Sequence, residues 1–228
     1  MAKTSRMGLQ RTVFIAGGTG YIGHPLIVAL IGRGHTVRAL VRPGSEAKLP
    51  AGCLPVPGNA LDSGTYMDQV RPSETFVHLV GVSHPSPAKA VEFRTIDFVA
   101  SREAFKAAAS SAVRHFVYMS VAHPARTMKA YIDVRVECEA LLLQTGLDVT
   151  IIRPWYVLGP GHRWPLLLKP LYWLLGQIPS TRESATRLGL VSLGEITSAL
   201  IWSIENPASG ERIITVPDIR RLGMSGRP

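Results

Sequence analysis

The chain has 228 residues, of which 46% are hydrophobic and 18% charged, with 21 glycines, 17 prolines and two cysteines. A chain of this length can bury a hydrophobic core without disulfides or metal, so we expect one domain over residues 1–228. The composition excludes collagen-like and disulfide-stapled proteins and argues against disorder. Cys53 and Cys138 have no CxxC or His-rich neighbour, so no metal site is predicted and a cytoplasmic location fits best.

The excess of 25 Lys and Arg over 16 Asp and Glu gives a formal net charge of +9. This charge favours an anionic partner such as a nucleotide, a nucleic acid or an anionic lipid surface. The basic residues are scattered and no nucleic-acid-reading motif is present, so nucleic-acid binding is not predicted. Residues 1–10 lack the apolar region of a secretory signal, and the apolar stretch 165–178 is too short to cross a bilayer.

From residue 12 onward, short runs of β-branched and aromatic residues alternate with longer segments of helical spacing. The runs predict strands over residues 12–16, 36–41, 53–56, 75–80, 115–119 and 149–152. The segments between them predict helices over residues 21–33, 88–109 and 129–144. Such alternation builds βαβ units, which favours an α/β protein with a Rossmann-type, doubly wound parallel sheet.

The alternation stops after Pro154. A Pro- and Gly-rich turn, an unusually apolar segment over 164–175 and a helix predicted over 193–205 follow. We therefore predict a Rossmann core over 11–153 and a small C-terminal cap or substrate region over 154–228, above the carboxyl edge of the sheet. The apolar segment is interpreted as buried core, as a lid over an apolar substrate, or as a contact surface for a protein or membrane.

A glycine-rich turn directly follows the first predicted strand and leads into the first predicted helix. This is the context that a dinucleotide-binding turn requires. Its glycines allow a tight exit from the strand, close approach of a diphosphate and close packing of the helix. The helix amino terminus offers N–H groups and a partial positive charge to phosphates. We therefore predict cofactor contacts from Gly17, Thr19, Gly20, Tyr21, Ile22 and Gly23, with an ordinary Gly-rich loop as the alternative.

The residue after the second predicted strand discriminates between the two nicotinamide cofactors. NAD-binding proteins place an acidic residue about 20 residues beyond the glycines, where it holds the ribose 2′-hydroxyl. Here that position is Arg42, and the nearest acid is Glu46. A guanidinium would attract a 2′-phosphate through charge-assisted hydrogen bonds, so NADP (NADPH) is favoured. The alternative is a solvated arginine at a strand end.

With these features, the chain resembles the atypical short-chain dehydrogenases/reductases of the NmrA-like and epimerase-like type. The segments that carry the resemblance are residues 16–23, 38–42, 58–62, 116–120 and 153–159, together with Tyr131 and Glu139. It covers about residues 11–160 and implies an NAD(P)-binding Rossmann fold. It further implies that Asn59 and Ala60 flank the adenine, that Val80 and Gly81 line the middle of the cofactor, and that Pro154 borders the nicotinamide.

The resemblance also implies a catalytic pair, a Tyr followed four residues later by Lys. Here the pair is Tyr131 and Arg135, and Ser120 corresponds to the catalytic hydroxyl. Residues four apart share one helix face, and a cation near a phenol favours release of its proton to a carbonyl oxygen. Arginine stays protonated and cannot relay a proton as lysine does. The alternative is a surface pair, with Arg135 bound to Asp133, Glu137 or Glu139.

Two functions follow from these observations. The first is an NADP(H)-dependent oxidoreductase that transfers hydride between NADPH and a small apolar carbonyl or quinone-like substrate, with Tyr131 as proton donor. The second is a non-catalytic NADP(H)-binding redox sensor or assembly protein, because Arg135 and Ala122 depart from the catalytic pattern. A sugar-nucleotide epimerase or dehydratase ranks last, since the C-terminal region is small. The resemblance implies a homodimer.

Overall fold

A computed structural model describes residues 10–125, 127–160 and 188–225 of the chain. Its strands are β1 Thr12–Ala16, β2 Thr36–Val41, β3 Leu54–Pro57, β4 Thr75–His78, β5 His115–Met119, β6 Asp148–Ile152, β7 Tyr156–Leu158, β8 Leu190–Ser192 and β9 Glu211–Ile214. Seven of these described strands form one parallel sheet in the order β3-β2-β1-β4-β5-β6-β9. The chain runs outward from β1 to β3 and then crosses over to place β4 on the other side of β1. At such a change of direction, a crevice opens outside the carboxyl ends of the two neighbouring strands, here β1 and β4.

Helices follow most of the strands. They are α1 Gly23–Gly32, α2 Ala90–Glu92, α3 Val99–Ala109, α4 Lys129–Leu143, α5 Leu193–Glu205 and α6 Val216–Ser225. A π-helical segment, Phe93–Phe98, joins α2 to α3. None of the helices in the described part of the chain has the length and apolar character that a membrane crossing requires.

The apolar core lies on both faces of the sheet. On one face, side chains of α1 and α5, including Leu26, Leu30 and Leu200, pack against the strands. On the other face, α3 and α4 contribute Phe105 and Leu142. Strands covered on both faces read as continuous apolar runs rather than alternating ones, which is why β1 and β5 are recognisable in the sequence.

The prediction of an α/β fold with a doubly wound parallel sheet is confirmed. The predicted strands over 12–16, 36–41 and 115–119 and the helix over 193–205 have the predicted bounds. The helix α5 begins sharply because Ser192 accepts a hydrogen bond from the Glu195 N–H at 3.2 Å, while the Glu195 carboxylate accepts one from the Ser192 N–H at 2.6 Å. Such a reciprocal capping box is a strong helix-start signal.

The C-terminal region contributes more to the sheet than its interpretation as a cap implies. Strand β9 pairs in parallel with β6 and extends the sheet, and α5 packs into the core beside α1. Strand β9 is only four residues long and begins with the polar Glu211 and Arg212, so the sequence carries no clear strand signal there. The strands β7 and β8 form a separate parallel pair. The apolar segment 164–175 lies outside the described residues.

Two histidines are buried within central strands. His78 on β4 is 0% exposed and His115 on β5 is 1% exposed. Burial is the main cause that lowers the pKa of His78 to about 3 and that of His115 to about 4. Both imidazoles are therefore neutral in the folded protein at neutral pH.

These histidines predict a stability that falls as the solution is acidified. An unfolded histidine binds a proton below about pH 6.5, whereas the folded protein excludes it until about pH 4. The free energy of unfolding should therefore fall by up to about 1.4 kcal/mol per pH unit for each histidine between these limits. Urea unfolding of wild type and His115→Phe at pH 7, 6 and 5 measures this slope.

The variant should show a shallower slope than wild type, because one of the two imidazoles buried within the central strands is gone. The exposed His24 supplies the control, and His24→Gln should unfold with the wild-type slope. An unchanged slope in His115→Phe would contradict the assignment of this pH dependence to the buried ring.

Candidate functional site

The turn between β1 and α1 is too tight for side chains at two of its glycines. A Cβ on Gly17, whose φ is +92°, would lie 2.8 Å from the carbonyl carbon of Leu79. A Cβ on Gly23 would overlap the carbonyl oxygen of Gly17. That same oxygen accepts a hydrogen bond from the Gly20 N–H at 3.1 Å. The turn therefore brings the start of α1 directly against the end of β1, beside the residues that follow β4.

The amino end of α1 is open and electropositive. Its first turn has no acidic residue, and its N-cap residue Ile22 makes no side-chain cap hydrogen bond. Among the described residues, the amides of Ile22 and Gly23 have no backbone acceptor. Free N–H groups at a helix amino terminus bind phosphate oxygens well. The local geometry thus fits a diphosphate.

Arg42 lies next to this turn. Leu40 on β2 is paired with Ala16 on β1, so the end of β2 emerges beside Gly17, with Arg42 directly beyond it. The Arg42 side chain is exposed, and its guanidinium makes no hydrogen bond or ion pair with any residue that the structure describes. This places a positive charge at the rim of the crevice.

The other residues predicted to line the cofactor also follow strand ends at the carboxyl edge. Asn59, after β3, is exposed, and its side-chain oxygen accepts a hydrogen bond from the Leu61 N–H at 3.0 Å. Ala60 packs against the core, as does Val80, which follows β4. Gly81 is exposed next to Val80. Pro154, after β6, is buried, and its carbonyl accepts a hydrogen bond from the Ala122 N–H at 2.8 Å.

Tyr131 and Arg135 lie on one face of α4, as their spacing predicts. The guanidinium carbon of Arg135 lies 5.1 Å from the centroid of the Tyr131 ring, within the range of a cation–π contact. The Tyr131 ring also packs 5.0 Å from that of Phe93. The Tyr131 side chain is half-buried, and its hydroxyl makes no hydrogen bond to a described residue.

The surface-pair alternative for Arg135 is wrong. Arg135 is only 4% exposed, and its Nη2 donates to the carboxylate of Asp97 at 2.6 Å. Its Nη1 donates to the Met119 carbonyl at 3.0 Å and to the Tyr118 hydroxyl at 3.2 Å. Burial tends to lower the pKa of Arg135, but the two phenols and Asp97 overcome this and raise it well above its ordinary value. The guanidinium is a permanent, immobile cation.

The three acids expected to compete for Arg135 have other partners. Asp133 accepts from Lys129 at 2.8 Å, and Glu137 pairs with Arg94. Glu139 is buried and bound by Arg153, with Nε and Nη2 donating at 3.0 and 2.5 Å. None of the three acids therefore pairs with Arg135, whose carboxylate partner is Asp97.

Ser120 is buried after β5, and its hydroxyl donates to Glu139. Its proton is therefore held by the Glu139 carboxylate. The nearby Ala122, which is also buried, offers no hydroxyl. Of the three residues predicted as catalytic, Tyr131 has the accessible functional group, while Arg135 and Ser120 are engaged by the protein itself.

Asp97 and Tyr118 both contact Arg135, and the sequence alone does not reveal these contacts. Asp97 lies in a segment with helical spacing, where a surface position is the ordinary expectation, and Tyr118 reads as a core residue of β5. Their common link is Arg135, which is distant from Asp97 in the sequence. Such long-range pairing has no local sequence signal.

Comparison with known proteins agrees with this geometry. Residues 17–162 match the family described as NAD(P)H-binding, and the chain belongs to that family. The match includes the glycine turn, Arg42 and the α4 pair. This match confirms the NAD(P)-binding part of the sequence-based identification.

Individual relatives are distant. The chain is 26% identical over 168 residues to a 4-hydroxy-2-methyl-3-oxo-4-farnesyl-3,4-dihydroquinoline-1-oxide ketoreductase of Stigmatella aurantiaca, covering 64% of this chain and 50% of that protein. It is 28% identical over 145 residues to the photosystem II assembly factor Ycf39 of Synechocystis, covering 62% and 43%. The chain thus spans half or less of these relatives.

Solved structures share the fold. The enzyme WbmH of Bordetella bronchiseptica in complex with NAD+ aligns with a TM-score of 0.68 at 20% identity, covering 90% of this chain and 76% of WbmH. At this identity the likeness establishes the fold alone.

The crowding at Gly23 predicts that alanine substitutions at the two glycines of α1 have very different effects on NADPH affinity. Gly23→Ala places a methyl group on the Gly17 carbonyl and should weaken NADPH binding about tenfold or more, because the turn must open. Gly32→Ala, at the other end of the helix, has nothing within 4 Å of the added carbon. A fluorescence titration with NADPH should give wild-type affinity for Gly32→Ala. Equal affinities for both variants would rule out this turn as the binding site.

Proposed function

We propose that the protein binds NADP(H) and reduces a small, apolar carbonyl or quinone-like substrate. Membership of the NAD(P)H-binding family supports the cofactor class. The ketoreductase among the relatives supports carbonyl reduction as the reaction type. The observation that carries the proposal is the position of the Arg135 cation at the carboxyl edge of the sheet. Its guanidinium carbon lies 5.1 Å from the centroid of the Tyr131 ring.

Residues of the turn and its rim would hold the cofactor. The amides of Ile22 and Gly23 are suited to the diphosphate because the start of α1 is open and positive. The exposed Arg42 guanidinium is suited to a ribose 2′-phosphate because its forked donors match phosphate oxygens. When bound, the nicotinamide supplies a hydride to the substrate carbonyl carbon.

Tyr131 completes the reduction in this proposal. Hydride addition moves the C=O π electrons onto oxygen, and that oxygen needs a proton. The half-exposed Tyr131 hydroxyl would donate it, and the resulting phenolate would be stabilised by the neighbouring Arg135 charge. Arg135 does not move in this step, because both of its Nη groups are bound by protein acceptors.

A second candidate function is nucleotide binding without turnover. It is supported by Ser120, whose hydroxyl donates to Glu139 rather than pointing a free donor toward a substrate. The relative named as an assembly factor is consistent with it. In this candidate the same turn and Arg42 bind NADP(H), and Tyr131 has no catalytic role.

The role of Tyr131 predicts the outcome of one substitution. Tyr131→Phe removes the proton donor and should lower the rate of NADPH oxidation by aldehydes or quinones at least about 100-fold, since general acids contribute roughly that much. NADPH affinity should change little. The matched control is Tyr66→Phe, which removes a buried hydroxyl in the core and should retain activity. NADPH binding without any Tyr131-dependent oxidation would select the non-catalytic function.

The cofactor preference predicts a second outcome. Arg42→Ala should weaken NADPH binding about 10- to 100-fold, because a charge-assisted hydrogen bond contributes about 1.5–3 kcal/mol, and it should leave NADH binding unchanged. Arg38→Ala removes the same charge from β2, four residues earlier, but Arg38 donates to the Gln69 carbonyl at 3.2 Å instead of facing the rim. Titrations of both variants with both cofactors test the assignment. Equal NADPH and NADH affinities in wild type and Arg42→Ala would remove the case for 2′-phosphate recognition.

A further inference from the structure

Asp97 uses both carboxylate oxygens to tie α4 to the loop after β4. Oδ1 accepts from Arg135 Nη2 at 2.6 Å, and Oδ2 accepts from the Val82 N–H at 2.9 Å. Asp97 lies in the π-helical segment Phe93–Phe98. Single π-helical turns inside helices frequently mark functional sites, because they redirect a side chain at some cost in helix stability. Here a π turn coincides with a carboxylate that is 0% exposed.

A contribution to folding stability does not explain the Asp97–Arg135 pair well. Both side chains are almost completely buried. Moving two charges out of water is costly, and apolar residues of similar volume often stabilise a core as well or better. In addition, Arg135 Nε is buried and finds no acceptor among the described residues. Because burying this pair is costly, a role at the candidate site explains its presence better than a contribution to stability does.

The pair lies directly behind a residue predicted to line the cofactor. A Cβ on Gly81 would lie 2.5 Å from Arg135 Nη2 and 3.0 Å from Asp97 Oδ1. The exposed backbone of Gly81 therefore separates the buried pair from the crevice. On its other side, the guanidinium faces the Tyr131 ring.

Tyr118 provides a second, neutral anchor for Arg135. Burial raises the pKa of its hydroxyl well above the ordinary value, so it accepts the hydrogen bond from Arg135 as a neutral phenol. Behind it, Ser101 Oγ lies 3.4 Å from the phenol oxygen and 3.3 Å from Nε2 of the neutral His78. Asp97 is thus the one carboxylate that contacts Arg135 in the described part of the chain.

We propose that Asp97, assisted by Tyr118, is a positioning residue that fixes Arg135 as a rigid cation under the Tyr131 ring. It acts only through Arg135 and touches neither substrate nor cofactor. The proposal rests on the reductase function proposed above. It explains how a long arginine, which is free to adopt many rotamers, is confined to the place where the resemblance expects a compact lysine ammonium.

The first test replaces the pair by apolar residues. Asp97→Leu combined with Arg135→Met keeps the volume of the core and removes both charges, so the protein should fold. We expect NADPH affinity within about threefold of wild type and kcat about 100-fold lower, with little change in KM, since removing a preorganised electrostatic group has effects of this size. Retained kcat in this double variant would overturn the proposal, because a structural pair can be replaced without loss of activity.

The matched control is the same exchange at the opposite edge of the sheet. Arg33 donates to Glu205 at 2.6 and 2.9 Å there, close to the start of β2. Arg33→Met with Glu205→Leu removes an ion pair that has no contact with the site. This variant should keep the kcat of wild type.

The second test asks specifically whether Asp97 positions a guanidinium. Arg135→Ala leaves a space lined by Asp97, Tyr118 and the Met119 carbonyl, and added methylguanidine should bind there and restore activity at least about tenfold. The same compound should not rescue Arg135→Ala combined with Asp97→Asn, which lacks the anionic partner. Binding is also measured as a rise in melting temperature, independently of turnover. Equal rescue and equal thermal shifts in both variants would overturn the role of Asp97.

The two proposals fail in different ways. Wild type that binds NADPH but shows no Tyr131-dependent oxidation would overturn the reductase function and the positioning role with it. Wild-type turnover that depends on Tyr131 but survives removal of the Asp97–Arg135 pair would overturn the positioning role alone.

Discussion

The architecture of the site depends on one close contact, the approach of α1 to the end of β1. It is closer than any side chain at residue 23 permits, because a Cβ there would overlap the Gly17 carbonyl oxygen. This contact aims the open amino terminus of α1 at the crevice between β1 and β4. The parallel pairing of β1 with β2 then brings Arg42 to the same place. The uncapped helix amino terminus and the Arg42 guanidinium make this place electropositive, which suits a phosphate group.

The second constraint is electrostatic. A buried guanidinium requires partners, and the chain supplies three of them from two elements: Asp97 from the π-helical segment, and the Tyr118 hydroxyl and the Met119 carbonyl from β5. Both Nη groups of Arg135 donate to protein acceptors, and its guanidinium contacts Tyr131 across the face of the ring rather than through a hydrogen bond. This distinguishes the site from one built on lysine, whose ammonium is compact and can shift its protonation.

Much of the fold is predictable from the sequence because its signals are local. Strands β1, β2 and β5 are apolar runs covered on both faces, and α5 begins at a capping box, so their bounds follow from patterns of a few residues. Strand β9 is a short edge strand with polar positions, and its pairing with β6 is set by tertiary contacts. The glycine turn and the spacing of Tyr131 and Arg135 are visible in the sequence, whereas the partner of Arg135 depends on the path of a π turn that no sequence pattern indicates.

A crystal structure of the protein grown with NADPH would show whether the turn after β1 binds the diphosphate of NADP(H). We expect phosphate oxygens within hydrogen-bond distance of the Ile22 and Gly23 amides and a 2′-phosphate beside Arg42. Cofactor density at another place, or a diphosphate in the turn with its 2′-phosphate directed away from Arg42, would contradict this expectation.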